Sequence, residues 1–111
     1  MRNLYLDIDG VLIHDSLNNF GKPAKGISEF LHVVTSKYTC YWLTTHCYKG
    51  ENHTVEFLSK KLSPEEMQYV PFVKPLDWKT WKTEAIDFNE DFLWVDDDPA
   101  DEELKELKKN N

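Results

Sequence analysis

Leu4-Tyr5-Leu6-Asp7-Ile8-Asp9-Gly10-Val11-Leu12 is the stretch that decides the fold. Three consecutive apolar residues run straight into two aspartates separated by one isoleucine, and a glycine follows. Apolar residues on successive positions, without alternation, suit a strand buried on both faces, as in a parallel sheet. Asp-x-Asp-Gly directly after such a strand predicts two carboxylates at the strand's carboxyl end, where open parallel sheets bind ligands. A lone Asp-x-Asp-Gly is more often a surface turn, so its weight comes from the strand before it and from partners further along.

Outward from this segment the pattern repeats. Polar residues with Gly21, Pro23 and Gly26 precede a helix whose apolar face is Ile27, Phe30, Leu31 and Val34, at i, i+3, i+4 and i+7. Cys40-Tyr41-Trp42-Leu43 reads as a second buried strand ending at Thr44-Thr45. A second helix is marked by Val55, Leu58 and Leu62. Ser63-Pro64-Glu65-Glu66 carries the signature of a helix start. A third strand is expected over residues 69–73, near a sheet edge because Pro71 lacks an N–H. Trp78, Trp81 and Ala85 predict another helix. Phe92-Leu93-Trp94-Val95 is the fourth strand and runs into Asp96-Asp97-Asp98. Asp98 as N-cap and Pro99 at the first helical position start a last helix facing inward with Ala100, Leu104 and Leu107. Strict β–α alternation predicts an α/β chain, a three-layer α/β/α Rossmann-like domain with a mainly parallel sheet.

The bulk properties agree. A chain of 111 residues suits one domain, here 1–111, and 41% hydrophobic, 30% charged and 14% aromatic residues argue against disorder. A formal net charge of −7 repels phosphate backbones, so strong non-specific nucleic-acid binding is not expected. No stretch is long enough to span a membrane, and no signal pattern precedes the first apolar run. Cys40 and Cys47 are expected as free thiols in a reducing cytoplasm rather than as a disulfide.

Three of the four strands end in reactive polar groups: Asp7-Ile8-Asp9, Thr44-Thr45-His46 and Asp96-Asp97-Asp98. A parallel sheet gathers these ends on one edge. So many carboxylates cannot all ionise in one place without a cation. Carboxylate oxygens select Mg²⁺ or Ca²⁺, of which Mg²⁺ commonly completes its shell with waters and substrate phosphate, and no Cys/His cluster at zinc spacing competes.

The same residues carry a resemblance. Asp7-Ile8-Asp9-Gly10-Val11-Leu12 resembles the first motif of the haloacid dehalogenase superfamily, Leu43-Thr44 its second, Lys82 its third and Trp94-Val95-Asp96-Asp97 its fourth. Asp97 to Asp101 also matches the DxxxD form of that last motif. Order and spacing hold across almost the whole chain. The resemblance implies a Mg²⁺-dependent phosphohydrolase acting on a phosphomonoester. Asp7 would be the nucleophile and Asp9 the acid and base, while Thr44 and Lys82 would bind the phosphoryl group. Mg²⁺ would be held by Asp7, the Asp9 carbonyl and Asp97, supported by Asp96 or Asp101. Thr45 stands as the alternative to Thr44, and Lys79 and Lys74 as alternatives to Lys82. Asp101 also reads simply as a first-turn acid.

Members of this superfamily often insert a cap domain, for which residues 13–26 and 47–75 leave no room. The expected site is therefore open to a large phosphorylated substrate, a polynucleotide end or a phosphoprotein. A response-regulator receiver domain is disfavoured, because its acceptor aspartate stands alone on a later strand. A relative that binds phosphate or metal without turnover is the other rival. His14, His46 and His53 are expected as exposed loop histidines, Trp42, Trp78, Trp81 and Trp94 as core.

Overall fold

The computed structural model describes residues 1–15 and 18–110. Residues 16 and 17, part of the stretch expected to form only a short loop, lie outside the described residues. Along the chain the elements are β1 (Asn3–Leu6), α1 (Ile27–Lys37), β2 (Thr39–Trp42), β3 (Cys47–Tyr48), β4 (Glu51–Asn52), α2 (Thr54–Ser59), α3 (Pro64–Met67), β5 (Val73–Pro75), β6 (Phe92–Val95) and α4 (Asp101–Lys109). The fold is α/β. Four strands form a parallel sheet in the order β5-β2-β1-β6. No helix among the described residues is long and apolar enough to cross a membrane.

The register places the site. Leu6 of β1 is opposite both Trp42 of β2 and Val95 of β6. The next residues continue the ladder, with Asp7 N–H donating to the Val95 carbonyl and Leu43 N–H to the Leu6 carbonyl. Asp7, Leu43-Thr44 and Asp96 therefore leave the sheet at one level. The chain then turns sharply, because the Ile8 carbonyl accepts from the N–H groups of Leu12 and Ile13. Ile8, Leu12 and Ile13 are all buried and anchor that turn.

Side chains divide by the two-residue period of a strand. Leu4 and Leu6, with Cys40, Trp42 and Val73, meet Ile27, Leu31 and Val34 of α1 and Leu58 of α2. On the other face Tyr5 joins Leu43 and Ile86, flanked by Tyr41, Trp78, Phe92 and Trp94. Each fully buried aliphatic side chain contributes about 1.5–3 kcal/mol against its exposed state.

Several expectations are corrected. The third strand is β5, starting at Val73, four residues later than the start expected at residue 69; residues Val70–Phe72 form a 3-10 turn. Pro71 sits at the start of that turn, where its missing N–H costs nothing. The strand does lie on the sheet edge. No helix covers Trp78 to Ala85; only a 3-10 turn, Lys82–Ala85, is formed. The Glu84 carboxylate accepts from the N–H groups of Thr80 and Trp81, holding a turn in place of a helical start. The last helix begins at Asp101, not after Asp98, because Asp98 N–H is tied to Asp96 Oδ1. Its buried residue is Glu103, while Leu104 is exposed. Val55 faces solvent, and Thr54 takes the inward position on α2. Trp81 is exposed, contrary to core placement, while Trp78 and Trp94 are half-buried against the core of the second face.

A hairpin was not foreseen. β3 and β4 pair antiparallel, with Lys49 at φ 51 and Gly50 at φ 82 between them. Both central residues at positive φ make the type I′ geometry that matches strand twist.

Cys40 and Cys47 are free and buried. Cys40 Sγ lies 3.3 Å from the Val34 carbonyl, and burial pushes its thiol up to about 11. An unfolded thiol ionises near 9.0, so the folded state holds this proton more tightly. The stability this contributes is full below pH 9 and lost as pH rises towards 11. Urea unfolding from pH 8 to 11 should show the stability gap between wild type and Cys40→Ala shrinking as pH rises. A gap independent of pH would contradict the assignment.

Candidate active site

Asp7 is buried at the end of β1, with Oδ1 accepting from Ile8 N–H at 2.8 Å. Its Oδ2 lies 3.2 Å from Lys82 Nζ, which also donates to Asp96 Oδ2 at 2.6 Å. Lys82 itself is buried, and its ammonium lies 5.9 Å from the centre of the Trp78 ring. Carboxylate oxygens of Asp7, Asp96 and Asp97 come within 4.8 Å of one another. The structure thus groups four of the expected site residues: Asp7, Lys82, Asp96 and Asp97. Lys74 and Lys79 are exposed on the surface.

The electrostatics of the group are uncompensated. Burial pushes the Asp7 carboxyl above its ordinary range; Lys82 opposes this and Asp96 adds to it. Asp97 is also raised, by burial and by the nearby charges of Asp15 and Asp96. Burial acts to lower Lys82, but the hydrogen bond to Asp96 and the charges of Asp7 and Asp96 outweigh it and hold the ammonium above its usual value. Asp7, Asp96 and Asp97 thus face one ammonium, with Asp15 beside Asp97, so negative charge is in excess at the group. The donors are all carboxylate oxygens, which fits a hard cation.

Two further residues shape this group. Gly10 has φ +79, and a Cβ built there would overlap the Asp97 carboxylate. Glycine is required twice over, by backbone conformation and by space. Glu103 on α4 accepts from the backbone N–H of both Lys82 and Ala100, so one buried carboxylate ties the lysine's turn to the helix after β6. Sequence reasoning missed Glu103. Its signal is a glutamate three residues after the helix N-cap, the capping position.

Thr44 is fully buried at the end of β2. Its carbonyl accepts from Trp78 Nε1 at 2.9 Å, and its hydroxyl oxygen accepts from His46 N–H at 3.3 Å. Thr45 is exposed. Two expected metal residues stand apart from the carboxylate group. Asp9 directs its side chain to His46 Nε2, 2.8 Å away. Asp101 is an exposed residue in the first turn of α4, where a carboxylate complements the helix dipole. His46, expected as an exposed loop histidine, is instead stacked on Phe57 with ring centres 3.9 Å apart. His53 is exposed, as expected.

Two cavities flank the carboxylates. One, of about 450 Å³, lies between α1 and β6 and is lined by Val11, Ile27, Phe30 and Val95 with Asp96 and Asp97. The other, of about 330 Å³, opens beside Asp9 and His46.

Comparison with protein-family models, with curated proteins and with solved structures finds no match.

The charge excess predicts cation-dependent stability. Saturating Mg²⁺ should raise the unfolding free energy, by about 2.7 kcal/mol at one hundred times the dissociation constant. Asp97→Asn should remove most of that gain. Gly10→Ala should both lower stability by about 1–2 kcal/mol, from the left-handed backbone alone, and weaken the Mg²⁺ response. Thermal unfolding with and without Mg²⁺ reads both effects; an equal Mg²⁺ gain in all three proteins would contradict the grouping.

Proposed function

We propose that this chain is a Mg²⁺-dependent phosphohydrolase of the haloacid dehalogenase type, acting on a phosphomonoester through an aspartyl-phosphate on Asp7. The observation that carries this reading is the buried Lys82 ammonium between Asp7 and Asp96, with Asp97 beside them at the ends of the two neighbouring strands. A motif-level lysine and three motif-level acids, up to 90 residues apart, meet in one group. We read the fold as a three-layer α/β/α Rossmann-like domain without a cap, since the segment between β2 and α2 holds only the short β3–β4 hairpin. The free thiols accord with a reducing cytoplasmic setting.

Asp7 and Asp97 would hold Mg²⁺ with the Asp9 carbonyl, and Asp96 would support them through Lys82. Bound Mg²⁺ supplies charge neutralisation for the phosphoryl oxygens. The chain's own residues do the rest. An Asp7 carboxylate oxygen attacks phosphorus, and the bond from phosphorus to the leaving oxygen breaks. Asp9 gives its proton to that oxygen, releasing an alcohol. Water then attacks phosphorus, Asp9 takes a proton from it, and the bond to Asp7 breaks. Phosphate leaves, and both aspartates return to their starting states. Lys82 and the Thr44 hydroxyl, both on buried residues, donate to the phosphoryl oxygens as fixed donors. An uncapped site would admit a large substrate, such as a polynucleotide end or a phosphoprotein.

Asp7→Asn should abolish turnover, because an amide is no nucleophile here. Asp9→Asn should lower kcat/KM on alkyl phosphates by about a hundredfold or more, and on p-nitrophenyl phosphate far less, since nitrophenolate needs no proton to leave. Steady-state kinetics with Mg²⁺ on both substrates check this. An Asp7→Asn protein with wild-type turnover would remove the covalent step and favour direct attack by water.

A further inference from the structure

Asp9 and His46 stand 37 positions apart, on the loops that follow β1 and β2, yet His46 Nε2 lies 2.8 Å from Asp9 Oδ2. The contact has a fixed member and a positioned one. The His46 ring stacks on Phe57 at an interplanar angle of 26°. Its backbone N–H donates to Thr44 Oγ1, and its carbonyl accepts from His53 N–H at 2.6 Å. The His46 side chain is 19% exposed against 44% for Asp9. Ring and backbone of His46 are therefore held from three sides, while Asp9 rests against it from the open side.

We propose that His46 is a positioning residue that orients Asp9 for proton transfer to the leaving oxygen; this rests on the phosphohydrolase reading above. An Nε2–H donor engages Oδ2 as acceptor. The transferable proton then belongs on Oδ1, which has no hydrogen-bond partner among the described residues. During the first half-reaction the Oδ1 proton moves to the leaving oxygen as its bond to phosphorus breaks, and in the second Oδ1 takes a proton from the attacking water. His46 keeps its own proton throughout. The pair also forms one wall of the 330 Å³ cavity, with Ile13, His14, Asp15, Phe20, Phe57 and Lys61 among the other lining residues. That cavity gives a leaving group room on the side from which Asp9 would act. A second consequence is separation of roles. Held to His46, the Asp9 carboxylate stays out of the Asp7–Asp96–Asp97 group, so a cation bound there does not draw it away from proton transfer.

The test compares wild type, His46→Ala and His46→Gln as full chains with Mg²⁺, on p-nitrophenyl phosphate and an alkyl phosphate. His46→Ala should lower kcat/KM, which reports the steps up to departure of the leaving group, by about ten- to a hundredfold on the alkyl phosphate, part of the general-acid contribution, and by under about threefold on p-nitrophenyl phosphate. His46→Gln, whose amide N–H also donates to Oδ2, should restore most of the loss, and the Mg²⁺ dependence should not move. In metal-free wild type, the ¹⁵N spectrum should show His46 protonated at Nε2, with that resonance shifting in Asp9→Asn; this reading holds even if His46→Ala fails to fold. An equal loss of kcat/KM on both substrates, no rescue by glutamine, or a His46 resonance indifferent to Asp9→Asn overturns the positioning role alone. A wild-type protein without Mg²⁺-dependent turnover on either substrate overturns the phosphohydrolase reading and this inference with it.

Discussion

The buried Lys82 ammonium is the constraint on which the site depends. It lies 2.6 Å from Asp96 and 3.2 Å from Asp7, at the ends of the neighbouring strands β6 and β1. Taking these charges out of water is unfavourable, and their attraction offsets that only while both partners stay in place. Removing the lysine would leave like charges buried together, a change that costs about 3 kcal/mol in comparable buried pairs. The neighbourhood is arranged around keeping it there. Glu103 fixes the backbone of Lys82 from α4, Ile8 N–H fixes Asp7, and Asp98 N–H fixes Asp96. One positive charge still does not balance three carboxylates, and that deficit is what makes the group a candidate cation site.

The sheet supplies the geometry that makes such an arrangement possible. Parallel pairing of β1 with both neighbours brings three strand ends to one level, so residues far apart in sequence become neighbours without any dedicated loop. The turn after β1 packs against the Asp97 side chain just past β6, so a Cβ at position 10 would collide with that carboxylate. Burial of Ile8, Leu12 and Ile13 keeps this turn from relaxing. Apolar packing beneath the sheet edge is thus linked to the placement of charge above it.

How much of this the sequence discloses follows from the range of each signal. Three of the four parallel strands were legible because unbroken apolar runs ending in polar residues are local patterns; β5, Val73-Lys74-Pro75, carries no such run and shares only Val73 with the strand expected there. Asp7, Asp96 and Asp97 were legible for the same reason, and Lys82 from its place in the resemblance. The second face of the sheet was not. Trp78 and Trp81 have helical spacing, but Trp78 reaches across to the Thr44 carbonyl and Glu84 caps a turn, so an irregular segment covers that face. Asp98 looked like an N-cap, and the competing bond to Asp96 was invisible along the chain. The Asp9–His46 contact joins two loops, and no periodicity reports it. The one available hint was position: His46 follows Thr44-Thr45 at a strand's carboxyl end, on the edge where the ligands of such sheets gather.

The central claim is that phosphate passes through Asp7, and the stereochemistry at phosphorus tests it most directly. A substrate whose phosphoryl group is made chiral with oxygen isotopes and sulfur is hydrolysed with Mg²⁺, and the configuration of the product is read. Two successive in-line displacements, first by Asp7 and then by water, predict net retention. Net inversion would mean that water attacks in a single displacement, and would contradict the account.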